Sequence, residues 1–250
     1  MWVRSRRILL ERIRQEKEQL IKEKKIKKEK PLPQITEEET SFELPNGWEW
    51  ARIGNISKIV EYGTSQKASE QNIGIPVLRM NNILNGKIVL NNLKYVQTDI
   101  KDLPRLYLNK GDLLFNRTNS YELVGKTAVF NEESAFTFAS YLIRISLCND
   151  YIDCNYLNIV MNSESYRTKQ IEPGIIQQNG QANFNGTKLK NTLVPIPPLN
   201  EQKRIIEKVN QFMSLCDKLE KYLEQSKQES DNLMKAVLQE AFTVKEEVLS

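Results

Sequence analysis

A repeating pattern of apolar residues in the last third of the chain constrains the fold more than any other feature. From Ile205 onward, apolar or small residues recur at alternating steps of four and three through more than four heptads. This spacing places them along one seam of a helix, and such a seam needs a partner helix along its whole length. The seam consists of Ile205, Val209, Phe212, Cys216, Leu219, Leu223, Ser226, Ser230, Leu233 and Val237.

The helix that carries this seam is predicted over residues 199–242, directly after the proline-rich stretch PIPP at 195–198, with a tail at 243–250. At 1.5 Å per residue, the part from Asn200 to Phe242 would span roughly 64 Å. A helix this long beside a small globular domain is typical of a spacer or an assembly element. Taken alone, the seam fits a coiled-coil dimeriser of any function.

The composition excludes several classes of protein. With 250 residues and 40% hydrophobic content, the chain can bury one sizeable core. It has no apolar run of 18 residues, and Ile8–Leu10 is too short for the core of a signal peptide. The cysteines Cys148, Cys154 and Cys216 form no CxxC pair, which favours reduced thiols and a cytoplasmic protein.

The chain contains no histidine, and this restricts the chemistry available to it. Serine–histidine and cysteine–histidine catalysis and histidine-containing metal sites are excluded. No GxGxxG motif is present. The segment SYELVGKT at 120–127 is one glycine short of a phosphate-binding loop, and the apolar residues after it predict a strand rather than a helix. We therefore expect no catalytic residue, no metal site and no cofactor on this chain.

The residue pattern predicts an α+β fold that is mainly β. A charged helix is expected over residues 1–30, with twelve basic and five acidic residues between Arg4 and Lys30, and a linker over 31–43. Asn85-Gly86 predicts a hairpin turn, and 155–170 predicts the best internal helix. Strands are expected at 75–80, 112–116, 126–130, 136–147 and 189–196.

Four segments carry a family resemblance. They are LPNGWEWARIGNI at 44–56, GDLLFNRTNSYELVGKTAVF at 111–130, NGTKLKNTLVPIPP at 185–198, and the long run that begins PIPPLNEQKRIIEKV at 195. In this order, over nearly the whole chain, they resemble specificity (S) subunits of Type I restriction-modification systems. The resemblance implies a target-recognition domain at 44–198 and a conserved helical spacer and docking element at 199–242.

The same resemblance implies function and partners. Such a subunit would bind one half of a split sequence in double-stranded DNA. Methyltransferase (M) subunits would supply the S-adenosylmethionine chemistry, and restriction (R) subunits the ATP-driven cleavage. Full-length members carry two recognition domains and two helical regions, whereas this chain has one of each. It therefore resembles a half-length subunit, expected to form a homodimer, or a piece of a longer one.

Candidate reading residues are chosen by side-chain chemistry. Arginine can bind guanine, and asparagine and glutamine can bind adenine, through paired donors and acceptors. Such residues cluster in turn-like segments at 62–67, 79–82, 116–120 and 177–183, although Asn and Gly are also ordinary turn formers. Residues 50–199 carry 16 basic and 12 acidic residues, which is no conspicuous basic face. The DNA-binding candidates are Lys67, Arg79, Asn81, Asn116, Arg117, Asn119, Gln178 and Gln181.

Two other functions fit parts of the sequence. The chain could be the target-recognition end of a fused restriction-methyltransferase enzyme, although we expect no catalytic domain before Met1. It could also be a coiled-coil adaptor that does not bind DNA. Methyl transfer by the isolated chain would favour the enzyme, and a failure to bind any DNA would favour the adaptor.

Overall fold

The structure is a computed structural model that describes residues 8–40, 42–148, 151–178 and 180–248. The chain divides into a larger unit, Met1–Lys203, and a smaller unit, Arg204–Ser250. The helices are α1 Ile8–Lys22, α2 Ile53–Ile56, α3 Cys154–Met161, α4 Glu164–Tyr166, α5 Gly186–Asn191 and α6 Leu199–Val248. The strands are β1 Glu49–Arg52, β2 Ser57–Tyr62, β3 Ile75–Leu78, β4 Ile83–Leu84, β5 Lys87–Ile88, β6 Lys94–Val96, β7 Leu113–Asn116, β8 Thr118–Asn119, β9 Thr127–Val129, β10 Thr137–Phe138, β11 Leu142–Leu147, β12 Ile176–Gln178, β13 Gln181–Asn183 and β14 Leu193–Ile196.

The larger unit is built on small sheets that confirm the mainly β prediction. The largest described sheet has the strand order β2-β11-β7-β9, and all its pairs are antiparallel. A second sheet has the order β10-β3-β6, in which β10 and β3 run parallel. Strand β7 is buried at all of its positions, so both faces of the largest sheet are covered. Ten buried residues form a core cluster between these sheets: Leu78, Ile83, Leu106, Leu108, Leu114, Ala128, Phe130, Phe136, Phe138 and Leu142.

The first helix is shorter than the sequence predicted, because a C-terminal cap ends it at Lys22 rather than at Lys30. Lys24 adopts a left-handed conformation with φ of 59°. The Lys25 N–H then donates to the Leu20 carbonyl at 2.9 Å, and the Lys24 N–H donates to Ile21 at 3.0 Å. This pair of bonds is the Schellman motif, here built on lysine instead of glycine. Residues 1–7 of the predicted helix lie outside the described residues.

Helix α1 also packs on the domain, although its charged sequence is typical of a solvated helix. Ile13 is 1% exposed. The Lys17 ammonium donates to the Gly54 carbonyl at 2.6 Å, and Glu16 pairs with Lys58 at 2.9 Å. Burial lowers the pKa of Lys17. Buried Ile13 and these two polar contacts therefore help to hold the helix against the rest of the larger unit.

The start and end of the predicted recognition domain lie side by side. Strand β1 pairs antiparallel with β14, with Glu49 opposite Ile196. The buried Arg52 guanidinium donates to the carbonyls of Pro33 and Gln34 at 2.9 and 3.2 Å. It also pairs with Glu39 at 2.9 Å. The linker predicted over 31–43 thus contacts the domain at Pro33, Gln34 and Glu39.

Two predicted elements inside the domain are interrupted. The strand expected at 136–147 is two strands, β10 and β11, separated by residues 139–141. The helix expected at 155–170 breaks after α3, where the Ser163 hydroxyl caps a new turn by accepting from the Tyr166 N–H at 3.2 Å. The strand expected at 189–196 begins at Leu193, because 186–191 form helix α5. The hairpin turn at Asn85-Gly86 is confirmed between β4 and β5, with φ of 49° and 74° at its two residues.

The long helix begins inside the larger unit, where Gln202 holds its first turn. This side chain is fully buried. Its amide donates to the carbonyls of Pro197 and Tyr151 at 2.9 and 3.1 Å and accepts from the Asp153 N–H at 2.8 Å. Trp48 donates through its indole N–H to Glu201 at 3.0 Å. These contacts explain why the helix starts directly after the prolines.

In the smaller unit, the seam of α6 is largely exposed. Helix α6 extends to Val248, so residues 243–248 are helical rather than a tail. Leu219, Leu223 and Leu233 are 60, 63 and 67% exposed. Apolar side chains at this spacing remain available to a partner helix. Among the described residues, no helix is both long enough and apolar enough to span a membrane.

Candidate DNA interface

One edge of the largest sheet gathers strand ends from both main sheets. Strands β2 and β7 end there and β11 begins there, because β11 runs antiparallel to both. The Ala139 N–H donates to the Leu78 carbonyl at 2.9 Å, and the Ser140 N–H donates to Thr64 at 2.8 Å, which brings the ends of β3 and β10 to the same place. We name this surface the convergent edge, formed by residues 62–67, 79–82, 117–120 and 139–141.

Arg117 lies at the centre of the convergent edge. Its guanidinium carbon lies 5.0 Å from the centroid of the Tyr62 ring, and its Nη1 donates to the Ser140 carbonyl at 3.3 Å. Its Nε is buried and has no hydrogen-bond partner in the described chain. A guanidinium stacked on an aromatic ring is suited to a guanine edge or a phosphate.

The backbone around Arg117 is fixed on both sides. Its N–H donates to the Tyr141 carbonyl at 3.0 Å, and its own carbonyl accepts from the Phe184 N–H at 2.8 Å. The Tyr62 hydroxyl accepts from the Gly186 N–H at 2.7 Å, which holds the ring beneath the guanidinium. A Cβ atom at Gly63 would lie 2.2 Å from the Phe138 carbonyl oxygen, so only glycine permits this close approach.

Three of the predicted amide side chains share the small sheet β12-β13-β8. Gln178 lies opposite Gln181 in the β12–β13 hairpin, and both are exposed. Asn119 in β8 lies opposite Ala182 in β13. Its side-chain oxygen accepts from the Ser120 N–H at 2.8 Å, which leaves the amide NH₂ as donor. The fold therefore brings together residues from two segments that are distant in sequence.

Arg79, Asn81 and Lys67 lie on the other segments of the convergent edge. Arg79 is half-buried, and its Nη2 donates to the Asn92 carbonyl at 2.6 Å, so part of its guanidinium supports a neighbouring loop. Asn81 is exposed in the 3₁₀ turn Met80–Asn82. Lys67 is exposed between β2 and β3. Exposed Asn81 and Lys67 can contact a ligand directly, whereas Arg79 would first have to leave Asn92.

Asn116 does not lie on the surface. Its side chain is 1% exposed at the end of β7, and its amide oxygen is buried without a hydrogen-bond partner in the described chain. Its backbone N–H donates to the Lys126 carbonyl at 2.8 Å, which keeps the residue inside the sheet. The polar run NRTNS therefore misled the sequence interpretation, because its first member is still part of a buried strand. In this conformation Asn116 cannot touch DNA.

Three tyrosines at or beside the convergent edge were not predicted as site residues. Tyr62, Tyr121 and Tyr141 are 43, 36 and 45% exposed. Exposed aromatic rings beside arginine and amide groups can pack on sugars or bases. Each tyrosine stands in a polar, turn-like segment, and this combination is the signal that could have identified them.

The segment 120–127, which is one glycine short of a phosphate-binding loop, leads into a strand. Residues 121–125 form a turn, and strand β9 follows at Thr127, so no helix N-terminus faces the segment. The strand predicted after this segment is thereby confirmed. Within the described ranges, no group of three histidine, cysteine or carboxylate residues is placed to hold a metal ion.

Comparison with known proteins identifies a sequence family. Residues 45–227 match the family described as Type I restriction modification DNA specificity domain. The matched range includes the convergent edge and seven of the ten seam positions. It begins one residue after the predicted start of the recognition domain.

Curated relatives are similar over almost the whole chain. The Type I restriction enzyme EcoAI specificity subunit of Escherichia coli is 32% identical over 234 residues, covering 92% of this chain and 39% of that protein. The EcoEI specificity subunit of the same species is 30% identical over 243 residues, covering 92% and 39%. This chain thus spans about two fifths of the length of these relatives.

Solved structures share the fold. The HsdS subunit from Thermoanaerobacter tengcongensis gives a TM-score of 0.60 at 21% identity, over 78% of this chain and 49% of that one. A second chain, from a structure of complex assembly and conformational transition in a type I R-M system, gives 0.64 at 20% identity, over 96% and 55%. At these identities the likeness shows the fold alone.

Proposed function

The chain belongs to the family of Type I restriction modification DNA specificity domains, and from this premise we propose that it reads one half of a bipartite DNA sequence. The observation that carries the proposal is the convergent edge, where Arg117 is stacked on Tyr62 and lies two residues before Asn119 in the sequence. Arginine and amide side chains on one surface are the groups that distinguish base edges in the major groove.

The chemistry of the complex would reside on other subunits. The curated relatives are specificity subunits, which are non-catalytic components of Type I complexes, and this chain is accordingly not assigned a catalytic centre. Methyltransferase subunits would bind S-adenosylmethionine, and restriction subunits would bind ATP. The modest charge of residues 50–199 fits this division of labour, because partner subunits would provide part of the phosphate contact. The complex would act in the cytoplasm, where the DNA is.

Helix α6 would serve as spacer, docking surface and dimerisation element. Its seam is self-complementary when two copies run antiparallel about a two-fold axis beside Lys221. Each a position then meets a d position, as antiparallel coiled coils require, and the largest seam side chain faces a small one. The pairs between copies would be Ile205 with Val237, Val209 with Leu233, Phe212 with Ser230, Cys216 with Ser226, and Leu219 with Leu223.

A designed disulfide tests this register. Cys216 is a free, exposed thiol, so Ser226→Cys should link two chains spontaneously under mild oxidation. Positions 216 and 226 of one helix are about 15 Å apart, which is beyond the reach of a disulfide within the chain. Ser230→Cys is the matched control, because position 230 should face Phe212. Absence of a dimer from Ser226→Cys, or equal yields from both variants, would contradict the antiparallel homodimer.

Selection from a randomised DNA pool tests sequence recognition. The chain assembled with its methyltransferase subunit should enrich one motif, and the methyltransferase without the chain should enrich none. The isolated chain with S-adenosylmethionine and DNA should transfer no methyl group. Robust transfer by the isolated chain would replace this proposal with the fused enzyme, and enrichment of no motif would remove DNA recognition from it.

A further inference from the structure

A groove beside the convergent edge is separate from the Arg117 site. It lies between the turn at 120–122 and the β12–β13 hairpin, with a volume of about 390 Å³. Its lining contains amides, a hydroxyl, an aromatic ring and a carboxylate, but no lysine or arginine. The residues that line it are Ser120, Tyr121, Glu122, Gln177, Gln178, Gly180, Gln181 and Ala182.

Arg167 fixes the turn that forms one wall of this groove. Its guanidinium donates to the carbonyls of Tyr121, Glu122 and Val124 at 2.7, 3.1 and 3.0 Å. It also pairs with Glu172 at 3.1 Å and lies 5.3 Å from the Tyr121 ring centroid. One side chain therefore binds three carbonyl groups of a single surface turn. Such a network restricts where the Glu122 side chain can reach.

The opposite wall is equally constrained. Strand β13 pairs with β8, and the Thr118 hydroxyl donates to the Asn183 side-chain oxygen at 2.7 Å. Gln178 and Gln181 project from the hairpin as exposed amides. The groove thus has two walls of defined geometry, one of which bears a single charge.

The chemistry of the groove argues against phosphate and for a base edge. Glu122 is exposed, and hydrogen bonds from its own N–H and the Ser120 hydroxyl lower its pKa. An ionised carboxylate only accepts hydrogen bonds and repels the phosphate backbone. In a domain that approaches DNA, this repulsion is offset where the carboxylate accepts from a base amino group, as from cytosine N4.

We propose that this groove reads an exocyclic amino group in the major groove, cytosine N4 or adenine N6, through the Glu122 carboxylate, with Arg167 as its positioning residue. This inference rests on the proposed function and adds an acidic contact to a site otherwise built from arginine and amides. It also provides discrimination, because a base pair that presents an acceptor at this position would face the carboxylate unpaired.

Removal of single amino groups from the DNA tests the proposal. The selected duplex is rebuilt with purine in place of each adenine, or pyrimidin-2-one in place of each cytosine, one position at a time. At one position, the wild-type chain with its methyltransferase subunit should lose affinity roughly 5- to 150-fold. Glu122→Ala should show no such loss at that position, and the analogue that produces the effect tells cytosine from adenine.

Two further variants make the test specific. Glu133→Gln is the matched control, since it neutralises an exposed carboxylate beyond β9, at the opposite end of the sheet, where it pairs with Lys110 at 2.6 Å. It should retain the full amino-group effect. Arg167→Lys cannot bridge three carbonyls, so the effect should shrink while affinity for the analogue duplex stays within about twofold.

The outcomes separate the inference from the proposed function. If removal of the amino group costs the wild type and Glu122→Ala the same affinity at every position, the groove assignment is overturned while sequence recognition remains intact. Loss of the penalty in Glu133→Gln as well would overturn it in the same way, as a general charge effect. A wild-type complex with no sequence preference would overturn the proposed function together with this inference.

Discussion

The two units of the chain differ in how far their apolar side chains are exposed. In the larger unit, Leu142 and Ile143 are fully buried within a sheet covered on both faces. In the smaller unit, Leu219 and Leu223 are 60 and 63% exposed, as is Phe242 at 66%. The larger unit buries these hydrophobic residues in its own core, whereas the smaller unit exposes a repeating apolar seam. The larger unit thus has the buried core of a self-contained fold, whereas the seam of the smaller unit would be covered only by the partner helix proposed above.

The largest expected effect is on assembly through the seam. Leu219→Asp would place an unpaired charge in the helix interface, once per chain and therefore twice per dimer. We expect a loss of association of about 3–5 kcal/mol for each buried charge. Lys227→Glu lies off the seam and should change association by less than about 1 kcal/mol. If light scattering gives the same molecular mass for Leu219→Asp and the wild type, the helix is not a pairing element.

A mutation in the largest sheet should affect the stability of the larger unit rather than association through the seam. Phe115 is fully buried in β7 and packs against Phe184 with ring centroids 5.7 Å apart. Phe115→Ala should lower the free energy of unfolding by about 3–5 kcal/mol, because it removes a large side chain and leaves a cavity. Urea denaturation followed by tryptophan fluorescence measures this, since Trp48 and Trp50 lie in the same unit. If Leu219→Asp lowers the free energy of unfolding as much as Phe115→Ala does, the seam is part of the same core and the contrast between the two units is wrong.

Smaller effects are expected at the convergent edge. Arg117→Ala or Asn119→Ala should cost roughly 1–3 kcal/mol on the cognate site and spare binding to scrambled DNA. Both side chains are partly exposed and lie outside the core cluster, so melting temperatures should change little. Competition binding with cognate and scrambled duplexes measures the loss of affinity for each. Equal losses on both duplexes would mean that the reading surface lies elsewhere.

The smallest effect is expected for the exposed lysine. Lys67→Ala should weaken binding to all sequences alike and reduce the slope of log K against log salt by about one, because one phosphate contact is lost. A salt titration of binding to a non-specific duplex measures that slope. A change confined to the cognate sequence would assign Lys67 to base recognition.

Features with a short sequence period were predictable. The seam depends on a spacing of three and four residues, and the Asn85-Gly86 hairpin on a pair of residues that accept positive φ. Both depend only on residues that are close together in the sequence. The mainly β class was predictable for the same reason.

Features that depend on contacts across the chain were not predictable. Residues 139–141 break the expected strand because the chain changes partners there. The Ala139 N–H still donates to Leu78 in β3, the Ser140 N–H donates to the Thr64 carbonyl, and β11 then pairs with β2 and β7. The stacking of Arg117 on Tyr62 depends on the pairing of β2 and β7 with β11. Asn116 was misplaced for the same reason, since only that pairing buries its side chain. Residue chemistry named Arg117 as a candidate, but topology determines what lies beneath it.

The methylation pattern of a strain that expresses only this subunit with its methyltransferase tests the central claim most directly. If two copies pair antiparallel through the seam, a two-fold assembly reads a two-fold sequence. The account predicts methylation at an interrupted palindrome whose halves are identical and inverted. An asymmetric split motif would contradict the homodimer and require a second, different recognition domain, and the absence of any methylated motif would contradict sequence recognition by this chain.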